Sequence, residues 1–115
     1  MRILVTGGRD FHYKDVVYGA LNKVHRKRGI SLIIQGGASG ADHLASDWAK
    51  DNAIDTAQYN ADWCQYGKAA GPIRNQRMID EGKPNAAVAF PGGSGTADMV
   101  RRLNEAGVPV WKVKP

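Results

Sequence analysis

Hydrophobic positions along this chain fall into two kinds of run, and the two kinds alternate. Nearly continuous apolar runs occupy 2–8 (RILVTGG), 31–37 (SLIIQGG), 85–92 (NAAVAFPG) and 108–113 (VPVWKV), with a weaker one at 55–59 (DTAQY). Their length and flanking glycines predict buried strands. Between them the apolar residues recur at helical spacing. In 13–29, Val17, Leu21 and Val24 share a face with Ala20 beside them; in 40–53, Ala41, Leu44, Ala45, Trp48 and Ala49 do the same. A third helix is predicted over 72–82, opened by Pro72 and closed by Gly82, and a fourth over 95–107, with Met99, Leu103 and Ala106 on one face. Residues 60–71 read as a loop. Trp48 and Trp111 are expected in the core, and Trp63 in the loop.

Strands alternating with helices imply right-handed crossovers and a mostly parallel sheet covered on both faces. In such sheets ligands bind beyond the carboxyl ends of the strands. Three strands end in glycine pairs, Gly7–Gly8, Gly36–Gly37 and Gly92–Gly93. These pairs are expected at one edge of the sheet. That edge is the predicted site.

Composition adds bounds. The 115 residues fit one domain, 1–115, and 43% hydrophobic with 23% charged residues is the balance of an ordinary water-soluble fold. No apolar run is long enough to span a bilayer, so no membrane association is expected. The start, MRILVTGG, lacks the long apolar core of a signal peptide, which predicts a cytoplasmic protein. Cys64 is the sole cysteine, read as a partly buried thiol, and the three histidines lack ligand spacing, so neither disulfide nor metal is expected. No cofactor is expected either. A net charge of +5 favours anionic ligands. The basic run 22–29 (NKVHRKRG) reads as a helix C-terminus rather than a nucleic-acid patch, because no aromatic residue is interleaved for base stacking.

The glycine stretches carry the candidate chemistry. A helix N-terminus offers unpaired N–H groups and the positive end of a dipole, and glycine lets the main chain approach a phosphate. Residues 36–42 (GGASGAD) bring Gly36, Gly37, Ser39, Gly40 and Asp42; residues 92–96 bring Gly92, Gly93, Ser94, Gly95 and Thr96. Ser39, Ser94 and Thr96 add hydroxyl donors, with Thr96 a candidate helix cap. Neither stretch is a Walker loop or a dinucleotide fingerprint. Arg74 and Arg77, three apart beside Asn75, supply cations, with Arg74 placed in the first turn of its helix. Arg9 and Asp10 follow the first strand, where they are expected to contact a phosphate and a ribose or base.

Together GGRDF, GGASGADHLA, ADWCQYGKAAGPIRNQRM and FPGGSGTADMV resemble the YspA, cpYpsA-related branch of the SLOG superfamily, from Gly7 to about Val110. The resemblance implies a Rossmann-like α/β fold with a pocket for nucleotides or nucleotide-derived ligands. With the order of elements, it gives a three-layer sandwich around a five-stranded parallel sheet, order 3-2-1-4-5. Relatives include the LOG phosphoribohydrolases, which release a base from a nucleoside monophosphate, and DprA, which binds single-stranded DNA. LOG enzymes carry Pro-Gly-Gly-x-Gly-Thr-x-x-Glu and an upstream arginine. Pro91, Gly92, Gly93, Gly95 and Thr96 match, Arg74 is the counterpart of the arginine, and the glutamate position holds Met99, preceded by Asp98. Relatives often dimerise, which implies a homodimer.

Three functions compete. The first is binding of a nucleotide-derived small molecule through the glycine loops. The second is hydrolysis of an N-glycosidic bond in a nucleoside monophosphate, with Arg74 and Asp98 as catalytic candidates and Asp42 or Asp10 as other carboxylates. The third, binding of single-stranded nucleic acid, is the weakest.

Overall fold

The computed structural model describes residues 1–114; Pro115 lies outside the described residues. Its elements run β1 (Arg2–Thr6), α1 (Lys14–Arg28), β2 (Leu32–Gln35), α2 (Ala41–Asp51), β3 (Asp55–Gln58), α3 (Trp63–Tyr66), a 3-10 turn (Gly67–Ala69), α4 (Ala70–Asp80), β4 (Ala86–Ala89), α5 (Ser94–Glu105) and β5 (Val110–Lys112). All strand pairs are parallel, and the sheet order is β3-β2-β1-β4-β5. The predicted order is the observed one.

Alternation along the central strands builds two cores, because successive side chains leave opposite faces of a strand. Ile3 and Val5 of β1, Ile33 of β2 and Val88 of β4 pack with Val17 and Leu21 of α1 and Ala45 and Trp48 of α2. Leu4, Ile34 and Ala87 face the other way, onto Met78 and Ile79 of α4 and Met99 and Leu103 of α5. The result is three layers. Trp48 is fully buried, and its indole N–H donates to Asn22 Oδ1 at 2.8 Å, so the largest core side chain keeps its polar atom satisfied.

Several local expectations change. Residues 60–71 are not a loop throughout: Asp62 caps α3 by accepting from the Gln65 N–H, and helix resumes from Ala70. Pro72 is therefore the third residue of α4, still tolerated because the first N–H groups of a helix have no partner to lose. Trp111 lies on the edge strand β5 at 40% exposure, with the Lys23 ammonium 5.8 Å from its ring centroid. Cys64 is exposed, and Ala106 falls beyond the end of α5, also exposed. The basic cluster His25–Arg28 closes α1, whose C-terminus leads into the start of β2, at the opposite end of the sheet from the glycine pairs. No helix among the described residues is long and apolar enough to cross a membrane.

Candidate functional site

At the carboxyl edge of the sheet the loop after β1 is held between the loops after β2 and β4. Gly8 N–H donates to Pro91 O at 2.9 Å, while Gly8 O accepts from Ala41 N–H (3.2 Å) and Phe11 N–H (3.1 Å). Gly40 makes this contact possible. Its φ is +74°, and a Cβ there would collide with the Gly8 and Arg9 carbonyls. The three loops enclose a cleft of about 680 Å³, within the range of ligand pockets. Gly7, Gly8, Arg9, Asp10, Gly36, Asp42, Arg74, Asn75 and the run Gly92–Thr96 line it, over an apolar floor that includes Met78 and Met99.

One of the two glycine elbows is internally filled. Asp42, in the first turn of α2, accepts at Oδ2 from the N–H groups of Gly36 (3.2 Å) and Ala38 (3.3 Å). The Gly37 N–H goes to Gln35 Oε1 at 2.5 Å, and the Ala41 N–H to Gly8 O. Burial pushes the Asp42 pKa up to about 6, against the pull of the Ala38 N–H, Arg74 and the Gly36 N–H. Both recorded bonds of the carboxylate go to Oδ2, and no buried side-chain oxygen among the described residues lacks a partner. Oδ1 is therefore open to the cleft.

The other elbow is empty. No side chain caps α5, which starts at Ser94 with Gly93 as its N-cap, so its first N–H groups have no intrahelical partner. Nothing lies within 4 Å of where a Cβ would stand on Gly93 or Gly95. Thr96 does not act as the cap; it sits inside the helix with Oγ1 packed against Gly92.

Arg74 is the fifth residue of α4, in its second turn rather than its first, and reaches across the cleft wall. Nη1 donates to Gly36 O at 2.7 Å and lies over the Gly36 Cα, where any Cβ would meet the guanidinium. Nε donates to Asn75 Oδ1 at 3.1 Å, and Asn75 Nδ2 donates to Gly95 O (3.2 Å) and Asp98 Oδ2 (3.1 Å). One amide thus joins the arginine to the empty elbow. Burial lowers the Arg74 pKa, Asp42 opposes that shift and Arg9 adds to it.

Other candidates fall outside the cleft lining. Arg77 pairs with Glu81 at 2.9 Å and lies over the Tyr59 ring, because a carboxylate at i+4 holds it along the outer face of α4. Asp98 is held at 2.8 Å by both Arg101 and Arg102; despite partial burial these bonds, with that from Asn75, keep its pKa below the usual range. Gly37 and Ser39 line a smaller adjoining cavity, and the Ser39 hydroxyl donates to Arg9 O at 3.0 Å. Sequence reasoning missed the amide relay Gln35–Gln58–Asn60 beside Gly37, since amides on a strand carry no pattern of their own. Among the described residues no group of three or more His, Cys, Asp or Glu side chains is disposed to hold a metal.

Residues 1–66 match the YspA, cpYpsA-related SLOG family (YAcAr). The Gene 61 protein of Mycobacterium phage D29 is 35% identical over 117 residues, covering 95% of this chain and 93% of that protein. The chain belongs to the YspA, cpYpsA-related SLOG family. Among solved structures, MurG of Acinetobacter baumannii superposes with a TM-score of 0.62 at 12% identity, over 97% of this chain and 34% of MurG. That likeness shows the fold alone. DprA of Streptococcus pneumoniae superposes at 0.48 with 17% identity, over 96% of this chain and 58% of DprA.

Proposed function

We propose that this SLOG-family protein binds a phosphorylated, nucleotide-derived small molecule, with a phosphate seated on the Gly92–Thr96 elbow at the N-terminus of α5. The observation that carries this reading is the uncapped, sterically open helix end facing a cleft whose wall holds Arg74. Oriented N–H groups, the helix dipole and a partly buried guanidinium favour the same charge. In this reading Asp10 and Asp42, which line the same cleft, accept from sugar hydroxyls. Calorimetric titration with nucleoside monophosphates tests it. Arg74→Ala is expected to weaken binding by about 1.5–3 kcal/mol, the range of a charged hydrogen bond. An unchanged dissociation constant removes Arg74 from the site.

The hydrolytic reading keeps one supporting observation, and it concerns Asp42 rather than Asp98. Asp98 is engaged by two arginines and an amide, outside the cleft lining. Asp42 offers an open oxygen and a pKa near 6, suited to moving a proton near neutral pH. Release of free base from nucleoside monophosphates, compared for wild type, Asp42→Asn and Asp98→Asn, separates the two. Turnover of about 1 s⁻¹ or more by the wild type makes the protein an enzyme. A homodimer belongs to the same family-based reading, and size-exclusion with light scattering tests it.

A further inference from the structure

Beyond the main cleft lies a second cavity of about 280 Å³, and the two share the Arg9 and Arg74 side chains in their walls. The annex is smaller than a whole drug-sized ligand needs and suits one ring system. Trp63 lines it at 54% exposure. The tip of its ring lies beside α4, at Gly71, where the lack of a side chain leaves it room. The exposed remainder of the indole borders the annex. Asn60, also lining the annex, spends Oδ1 on the Gln58 amide, and its Nδ2 has no recorded partner among the described residues. The Arg9 guanidinium, likewise without a recorded hydrogen bond or ion pair, stands at the junction with Arg74.

We propose that the annex is a second binding subsite, for an aromatic base stacked on Trp63. The ligand it completes is two-headed: a phosphorylated sugar in the main cleft, joined through a phosphoanhydride passing Arg9 and Arg74 to a nucleoside. The exposed indole gives the base its platform, and Asn60 Nδ2 gives it a hydrogen-bond donor. Two adjacent guanidinium groups oppose each other unless an anion lies between them, which is what a diphosphate bridge supplies. This inference rests on the phosphate reading above, and its failure is distinguishable from the failure of that reading.

The probes are ribose 5-phosphate, AMP and ADP-ribose, titrated calorimetrically and by tryptophan fluorescence into wild type, Trp63→Ala and Trp63→Phe. ADP-ribose is expected to bind at least about tenfold more tightly than ribose 5-phosphate. Trp63→Ala is expected to weaken ADP-ribose by about tenfold, equivalent to 1.4 kcal/mol and within the range of one stacked base, and to leave ribose 5-phosphate unchanged. Trp63→Phe keeps a stacking face and is expected to retain most of the affinity, while abolishing the quench that ADP-ribose causes in the wild type. ADP-ribose binding that ignores both substitutions overturns the subsite and leaves the phosphate site standing. AMP binding as tightly as ADP-ribose, without dependence on Trp63, places the base in the main cleft and also overturns it. No binding of any probe by the wild type overturns the phosphate reading and the annex with it.

Discussion

The two glycine elbows are nearly the same string, GGASGAD at 36–42 and GGSGTAD at 92–98, yet they fold into opposite things. In the first, Gly40 takes φ +74°, which delays α2 until Ala41 and puts the terminal aspartate in the first helical turn. In the second, the helix begins at Ser94, directly after the glycine pair, so Asp98 is already in the second turn. A carboxylate in a first turn can fold back onto the loop N–H groups; one turn later it cannot. Asp42 therefore fills its own elbow, and Asp98 turns to Arg101, Arg102 and Asn75. A glycine-rich motif is thus not in itself an anion site. What decides is where the helix starts relative to the nearest acid.

The harshest way to break the comparison is to make the two elbows' inner glycines alike. Gly40→Ala places a Cβ in a left-handed backbone region and against two carbonyls, and is expected to cost about 4 kcal/mol of stability. Gly95→Ala points its Cβ into open space inside a helix and is expected to raise stability by about 0.5 kcal/mol. Urea denaturation of both variants measures the contrast. Equal effects would mean that the backbone of the two loops does not differ as described.

A milder change addresses the filled elbow through its charge. The Asp42 pKa is raised from 3.8 to about 6 on folding, so the folded state holds this proton more tightly than the unfolded chain. The resulting stability is fully present below pH 3.8 and is lost as pH rises through about 6, amounting to about 2–3 kcal/mol. Asparagine in its place can still accept from Gly36 and Ala38 without a charge to bury. Asp42→Asn is expected to match the wild type near pH 3.5 and to exceed its stability at pH 8. Identical pH profiles would remove Asp42 as the buried acid.

The fold was legible in the sequence because apolar runs of two periods alternate without interruption, and the glycine pairs then fall at one edge by topology. What escaped is instructive in each case. The helix Trp63–Tyr66 buries no residue, so it leaves no apolar period to read. Trp111 lies on a strand face that reads as core, but its strand is an edge strand. A spacing of three puts Arg74 and Arg77 on one side of their helix, but it does not show that Glu81 claims Arg77. The burial of Asp42 is not legible, since a charged residue ordinarily signals exposure. Its partners are loop N–H groups, which sequence does not display.

A small expected change in stability can carry the sharpest consequence for binding. Gly93 is the N-cap of α5, with negative φ and open space around a Cβ, so a larger residue has room there. Gly93→Asp supplies an oxygen acceptor to the first-turn N–H groups and a negative charge to the positive end of the helix dipole. That converts the empty elbow into a copy of the filled one. Exchange of glycine for aspartate at an N-cap, with the dipole interaction added, is expected to stabilise the fold by about 0.5 kcal/mol. The same carboxylate occupies the place of the incoming phosphate and repels it. Binding of nucleoside monophosphates is expected to disappear while the melting temperature holds or rises slightly. A variant that binds as the wild type does would place the phosphate elsewhere in the cleft, and the difference between the two elbows would then concern folding alone.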